Sequence, residues 1–175
     1  YEIGYRFSSR SQQLSFTAYR TEIEDYILSQ PTGRTVAGQT EVNKANSSSG
    51  SVQGIEASLR RKWSRHVVLW SNLTWLHTKI QKTLVGQRAR QTYEPLSRTM
   101  PLTINFGVTL TSPARGHWLS FETTLASKAD ELSQGDRGDN QRIPPGGTPG
   151  YEIMSITGGL IMSQYLEVSL KLENV

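Results

Sequence analysis

The side chains best suited to chemistry in this sequence are its three histidines, and their spacing predicts no shared site. His66, His77 and His117 are isolated, with no second histidine or carboxylate at metal-ligand spacing. The 175 residues include no cysteine, which excludes disulfide frameworks, thiolate-bound metals and cysteine nucleophiles. Gly146-Gly147 lacks the Gly-Lys that completes a phosphate-binding loop. The sequence therefore predicts no catalytic residue, no metal site, no cofactor and no enzymatic activity.

Arginine and lysine side chains in three polar segments are the remaining candidates for ligand binding. Segment 82–99 carries four cations and one glutamate, a net charge of +3, whereas segments 29–50 and 130–150 have net charges of +1 and −2. Guanidinium groups suit anionic ligands, although solvated loop cations are equally common. The predicted ligand-binding residues are Arg34, Lys44, Arg88, Arg90, Arg137 and Arg142.

The overall composition excludes two broad classes of protein. The net charge of +4 is too weak and too scattered for a nucleic-acid surface. The longest apolar run spans the four residues from Val67 to Trp70, whereas a membrane-spanning helix needs about 20. Hydrophobic residues make up only 35% of the chain. A membrane β-barrel remains possible, because its strands are apolar only at every second position.

Alternation of apolar and polar residues dominates the sequence and predicts strands. The clearest example is Leu102, Ile104, Phe106, Val108 and Leu110, which alternate with polar residues or glycine. No segment keeps the apolar face of a helix. A loss of phase near Ala18-Tyr19 predicts a β-bulge. Eight strands are predicted near residues 1–9, 13–28, 51–63, 66–81, 100–112, 117–129, 151–162 and 165–174.

The predicted connections alternate between short turns and long loops. Short turns lie near 10–12, 64–65, 113–116 and 163–164, and long loops near 29–50, 82–99 and 130–150. Outer-membrane barrels have short periplasmic turns and long extracellular loops. Trp63, Trp118 and Tyr165 lie beside short turns, where an interfacial aromatic girdle is expected. Trp118 and Tyr165 are, however, off the apolar phase of their strands. The sequence thus predicts an all-β, antiparallel transmembrane β-barrel segment of about eight strands, a partial barrel.

Several segments of the chain resemble one family of such barrels. Residues 139–151, DNQRIPPGGTPGY, resemble a loop in the C-terminal third of TonB-dependent outer-membrane receptors, and residues 170–175, LKLENV, resemble their penultimate strand. Weaker similarity lies in residues 1–5 and 94–101. Residues 1–175 are thereby identified as a C-terminal portion of the receptor barrel, lacking the N-terminal plug domain.

The resemblance implies a function and a set of partners. It implies a receptor of the bacterial outer membrane that takes up a scarce nutrient, most often a ferric siderophore or other iron chelate. It also implies contact with TonB through the missing N-terminal region, and with outer-membrane lipid and lipopolysaccharide through the wall and loops. A membrane wall is wet on one side and apolar on the other, which matches the polar composition.

Two other interpretations remain open from the residues alone. Eight strands can close into a complete small barrel that acts as an adhesin or anchor. A soluble β-sandwich that binds carbohydrate would pack its apolar faces against each other. In the receptor interpretation, the first and last strands are instead expected to be exposed edges.

Overall fold

A computed structural model of the chain describes residues 1–84, 90–112, 114 and 116–175. Long strands and one short helix make up its regular structure. Their bounds are β1 Glu2–Ser8, β2 Gln12–Val36, β3 Gln39–Lys62, β4 Val67–Leu84, β5 Arg90–Glu94, β6 Thr103–Ser112, β7 His117–Ala126, α1 Gln134–Gly138, β8 Tyr151–Ser163 and β9 Leu166–Glu173.

All the strands belong to one antiparallel sheet in which sequence neighbours pair. The order is β1-β2-β3-β4-β6-β7-β8-β9, and β5 pairs with the outer part of β4. The ladder of β4 therefore changes partner, from β6 at Val67–Thr74 to β5 at Ile80–Leu84. The path begins at β1 and finishes at β9 without a ladder between them, so the sheet of the described strands is unclosed. This confirms the predicted all-β partial barrel with two exposed edge strands.

One face of the sheet, the apolar face, is continuous from strand to strand. A single row across it pairs Phe16 with Ala57, Ala57 with Leu73, Leu73 with Ile104, and Ile104 with Leu125. Directly paired residues point to the same side, so the alternation seen in the sequence becomes one apolar surface. Of the described part of the chain, no helix is long and apolar enough to cross a membrane.

The opposite face, the polar face, is joined by side-chain hydrogen bonds between strands. Ser15 Oγ and Ser58 Oγ lie 2.7 Å apart on β2 and β3. Thr124 Oγ1 donates to Asn105 Oδ1 at 2.7 Å between β7 and β6. These groups satisfy one another across the ladder, and the remaining polar atoms can face water. The sheet is therefore a wall with one wet side and one apolar side.

Large aromatic side chains on the polar face lie over glycines of the neighbouring strand. A Cβ atom added at Gly107 would lie 2.7 Å from Trp70 Cε2. One added at Gly159 would lie 2.5 Å from Trp118 Nε1, whose N–H donates to Glu167 at 2.7 Å. The absence of a side chain on each glycine creates the space for the ring. Trp118 thus packs on the polar face, in agreement with its position off the apolar phase of the sequence.

Two predicted long loops contain more strand than the sequence indicated. Segment 29–50 is mostly paired, since β2 and β3 continue as a hairpin to Val36 and Gln39. Ala37 and Gly38 form its turn with φ of 51° and 80°, which is typical of a type I′ hairpin. Segment 82–99 contains β5. The outer part of the β2–β3 hairpin and β5 are both largely polar in sequence. They therefore lack the apolar alternation by which the other strands were predicted.

The predicted bulge near Ala18-Tyr19 is wrong. Ala18 pairs with Ile55 and Tyr19 with Gly54 without a shift of register. Tyr19 lies on the polar face over Gly54, where an added Cβ would be 2.7 Å from its hydroxyl oxygen. The shift occurs instead between Ile23 and Tyr26, where Asp25 has a φ of 57°.

Candidate functional site

The segments after β5 and β7 meet above the sheet and are joined by one buried carboxylate. Asp136 is 3% exposed and accepts from Ser97 Oγ at 2.6 Å and from the Arg98 amide at 3.2 Å. The same carboxylate accepts from the Ser133 amide at 3.0 Å and from Ser133 Oγ at 2.9 Å. We call the two joined segments, residues 95–102 and 127–150, the outer cap.

The local sequence explains why Asp136 is held in this position. Ser133 is the N-cap of α1, and the Asp136 amide donates to its hydroxyl at 3.2 Å, which completes a capping box. Burial of the carboxyl group opposes ionisation, but the hydrogen bonds from Ser97, Ser133 and the Arg98 amide outweigh burial. Together they lower the pKa of Asp136 below its ordinary value. The carboxylate is therefore charged and fully engaged near neutral pH.

A second carboxylate of the cap lies between two guanidinium groups. Arg98 Nη2 is 3.2 Å and Arg142 Nη1 is 3.7 Å from the same oxygen of Asp139, Oδ2. The two arginine side chains are 60% and 70% exposed. Asp136 and Glu131 lie at the same place, so carboxylates and guanidinium groups are interspersed where the two segments meet.

Hydrogen bonds and close backbone contacts fix the two ends of the longer cap segment. Ala129 and Thr148 form a two-way bridge, with N···O distances of 2.9 and 3.1 Å. Gly147 has a φ of 94°, and a Cβ added there would lie 2.0 Å from the Ala129 carbonyl oxygen. Only glycine fits such a position. The Pro-Pro-Gly-Gly segment thus closes the cap onto the residues that follow β7.

The outer cap and the strand ends beneath it enclose a cavity of about 480 Å³. This volume lies within the range of small-molecule sites, about 300–1,000 Å³. Apolar groups from both cap segments and from the start of β8 contribute to its wall. The principal apolar residues are Met100, Pro101, Leu132, Ile143, Pro149 and Tyr151. Arg98 and Arg142 also line it, together with the carboxylates Glu131 and Asp136, so charges of both signs lie at this cavity.

The family comparison matches this architecture over the whole chain. Residues 1–175 match the model of the TonB dependent receptor-like β-barrel. The chain belongs to this family. The barrel of TonB-dependent receptors lies in the bacterial outer membrane, which makes the apolar face the lipid-facing side and the polar face the luminal side. The expected family and location are both confirmed.

One solved structure extends the comparison of folds. The chain is similar to a chain described as "Copper transporter OprC", with a TM-score of 0.75 and 12% identity. The match covers 99% of this chain and 24% of that one, so the chain spans about a quarter of its length. At this identity the likeness concerns the fold. No curated protein sequence matches the chain.

Within this receptor wall, the predicted ligand-binding residues fall into two groups. Arg34 and Lys44 are exposed on the β2–β3 hairpin. Arg137 is exposed in α1, and Arg142 lines the cavity. Arg90 begins β5 opposite Leu84, but its side chain lies outside the described part, as does all of Arg88. Their role in binding stays a prediction. Of the candidates with described side chains, Arg137 and Arg142 lie in the outer cap.

The sequence analysis missed the residues that organise the receptor's outer cap. Ser133 and Asp136 have the spacing of a capping box, Ser-x-x-Asp, which was a readable signal for a helix start. Ser97 and Arg98 gave no such signal, because their contacts cross 39 and 38 residues of chain. His77 stacks on Trp75 with ring centroids 6.2 Å apart.

The other histidines lie apart from the cap. His66, in the turn before β4, has its Nδ1 2.9 Å from the Thr111 carbonyl oxygen, and its Nε2 accepts from Arg65 Nε at 2.8 Å. Since Nε2 accepts, Nδ1 carries the proton and donates to Thr111. His117 is the first residue of β7. Among the described residues there is no group of three or more His, Asp or Glu side chains able to hold a metal ion.

Proposed function

We propose that this chain forms a C-terminal part of the wall and outer loops of a receptor that takes up a scarce nutrient, with energy supplied through TonB. The ligand class that we propose is a ferric siderophore or another iron chelate. The plug domain and the segment that contacts TonB would precede these residues in the intact protein. The family consists of transporters, so we propose transport and no catalysis.

One observation carries the proposal: the outer cavity is lined by two guanidinium groups and lies above a polar, luminal wall. Arg98 and Arg142 share a single carboxylate oxygen, and guanidinium groups bind anionic oxygen donors in planar, bidentate geometry. Many metal chelates are anionic at neutral pH and display such oxygens. A polar wall below gives a released ligand a water-compatible path.

Lipid contacts form the second part of the proposal. The row from Phe16 to Leu125 would face the acyl chains, and cationic residues at the hairpin, such as Arg34 and Lys44, would meet lipopolysaccharide or the ligand. The similar copper transporter raises copper as the competing cargo, although 12% identity supports a common fold alone. Copper therefore belongs in the test rather than in the proposal.

The test is uptake by cells that produce the full-length receptor or lack its gene. Radioactive iron is supplied as a set of ferric chelates, and radioactive copper is supplied in parallel. We expect gene-dependent uptake of at least one ferric chelate, and loss of that uptake when TonB is deleted. Iron uptake that persists without TonB would contradict energy coupling. Gene-dependent uptake of copper but of no ferric chelate would show that the proposed ligand class is wrong.

A further inference from the structure

Charges of one sign collect where the first strands meet the periplasmic side. The β1–β2 and β3–β4 turns lie at this end, because outer-membrane barrels have their short turns on the periplasmic side. Arg10 lies in the first turn, Arg65 lies in the second, and Arg61 is the penultimate residue of β3. All three side chains are exposed, and we call them the basic rim. Residues 3–21 and 57–93, which contain both turns and the adjoining strand ends, include no Asp or Glu.

Arg61 occupies a position that the alternation of β3 assigns to the lipid-facing side. It continues the series Ile55, Ala57 and Leu59 at every second residue, and Ala57 belongs to the apolar row across the sheet. A charged side chain on that side is costly at the bilayer midplane but nearly free at the interface. The guanidinium carbon of Arg61 lies 4.9 Å from the centroid of the Trp63 ring, a cation–π distance, and tryptophan is enriched at the interface. Arg61 therefore marks the boundary between acyl chains and headgroups.

The positive charge of the basic rim is not balanced by the described part of the chain. Among the described residues, none of its three guanidinium groups forms an ion pair. Arg65 Nε donates to His66 Nε2 at 2.8 Å. Because this acceptor is a neutral imidazole, the hydrogen bond leaves the charge of Arg65 uncompensated. The rim therefore offers N–H donors and net positive charge, and guanidinium groups bind phosphate in a bidentate fork.

Hydrogen bonds hold the two turns next to each other and to the sheet. The Lys62 amide donates to the Ser11 carbonyl at 2.7 Å, which joins the first turn to the end of β3. The Thr111 amide donates to the His66 carbonyl at 2.7 Å, and His66 Nδ1 donates to the Thr111 carbonyl at 2.9 Å, so the second turn is joined to β6. The three cations are thus carried on ordered backbone, and a partner that binds them need not order the turns.

We propose that the basic rim binds the headgroup of an anionic phospholipid in the periplasmic leaflet, with its phosphate at Arg61 and its acyl chains along the apolar residues of β3 and β4. A zwitterionic headgroup also carries an ammonium group, and segments 3–21 and 57–93 contain no carboxylate side chain to pair with it. A headgroup with net negative charge is therefore favoured. The inference depends on the location of the barrel in the outer membrane and goes beyond the proposed uptake, because it is independent of the cargo.

The test is the choice of lipid by the full-length receptor in detergent, measured by native mass spectrometry. Phosphatidylglycerol and phosphatidylethanolamine with identical acyl chains are added in equal amounts, and we expect bound phosphatidylglycerol to exceed bound phosphatidylethanolamine. A cation near an anionic lipid surface contributes about fivefold in affinity, so Arg61→Gln should lower the ratio of the two bound lipids about fivefold. Arg60→Gln is the matched control, because it removes the same charge from the neighbouring residue, which lies on the luminal face, and should leave the ratio unchanged.

A second variant, Arg10→Gln with Arg65→Gln, removes the turn cations and should also lower the ratio. Folding of each variant is checked by heat-resistant mobility on gels, and either the Arg61 variant or the double variant suffices. Equal binding of the two lipids by the unmodified receptor would overturn the inference, as would an equal fall of the ratio in Arg60→Gln and Arg61→Gln. A preference that survives the loss of the rim cations would place the lipid elsewhere and overturn it too. Normal TonB-dependent uptake without lipid preference would refute this inference alone, whereas lipid preference without uptake would refute only the transport proposal.

Discussion

Removal of the Asp136 carboxylate should release the two segments of the outer cap from each other. The hydrogen bonds from Ser97 and from the Arg98 amide cross between the segments, whereas those from Ser133 stay within one. A hydrogen bond to a charged group contributes about 1.5–3 kcal/mol. Ser97 and Arg98 are exposed, so we use the lower figure for each of the two crossing bonds. Asp136→Ala should then lower the free energy of opening the cap by about 3 kcal/mol.

That free energy translates into an exchange rate that can be measured. A change of about 1.4 kcal/mol in free energy changes a rate tenfold. Amide hydrogens of residues 95–102 should therefore exchange roughly 150-fold faster in Asp136→Ala. Asp136→Asn keeps one oxygen as a neutral acceptor and should make exchange of the same amide hydrogens about tenfold faster. The assay is hydrogen–deuterium exchange on the full-length protein, with fragments from 95–102 and 127–150 compared with β6 and β7 as internal references.

Asp139 provides the matched control, because it also joins the two segments. Its bond from Arg98 is at the surface, where an ion pair contributes about 0–1 kcal/mol. Asp139→Ala should therefore accelerate exchange by no more than about fivefold. An acceleration below threefold in Asp136→Ala, or one equal to that of Asp139→Ala, would refute the role assigned to the buried carboxylate.

The same carboxylate predicts how cap protection depends on pH. The pKa of Asp136 is lowered in the folded protein, so its stabilisation is complete above the unfolded value of about 4. It is lost as the pH falls through the lower, folded pKa. Protection factors of residues 95–102, corrected for intrinsic exchange, should be constant from pH 7 to about pH 4 and fall below it. A decline that begins near pH 6 would point to a histidine instead.

Two further predictions concern the wall. Gly159→Ala should lower the free energy of unfolding by about 1–3 kcal/mol, the usual cost of overpacking, because the three atoms nearest its Cβ all belong to the Trp118 ring. Trp118→Leu in the same chain should restore part of the loss in denaturant titrations. Leu170→Arg on the lipid-facing side of β9 should make folding into lipid less favourable by about 2–4 kcal/mol near the bilayer midplane. Ser169→Arg, on the luminal side, should leave the folding yield in lipid vesicles nearly unchanged. Equal yields for the two variants would contradict the assignment of faces.

The sequence predicted the membrane wall well because its physics is local. A strand with lipid on one side must alternate, so Leu102 to Leu110 show the period directly, and β6 begins and ends within three residues of the predicted bounds. The outer part of β2 and β3 has no such constraint. Among the described strands, that part of β2 and β3 pairs with no third strand, and its largely polar sequence shows no period-2 pattern.

The outer cap was not predictable for a different reason. Its central contact joins Ser97 to Asp136, and a polar pair so distant in sequence has no signature in one chain. The candidate arginines were chosen by charge alone, which cannot separate Arg142, beside the cavity, from Arg34 on a hairpin. The sequence placed Trp118 off the apolar phase, but its packing over Gly159 is visible only once the register is known.

The length of the β2–β3 hairpin has a practical consequence for following the receptor on living cells. β3 pairs with β4 from Gly50 to Lys62, so the part of β2 and β3 beyond Gly50 is a ribbon that pairs with no third strand among those described. Exposed hairpin tips tolerate insertions. A short epitope inserted between Ala37 and Gly38 would leave the wall intact. The ribbon of about 13 residues, at no more than 3.3 Å each, would hold the epitope roughly 35–45 Å beyond Gly50. Antibody against that epitope would then count receptors on intact cells, and natural sequence variation should concentrate in the same ribbon.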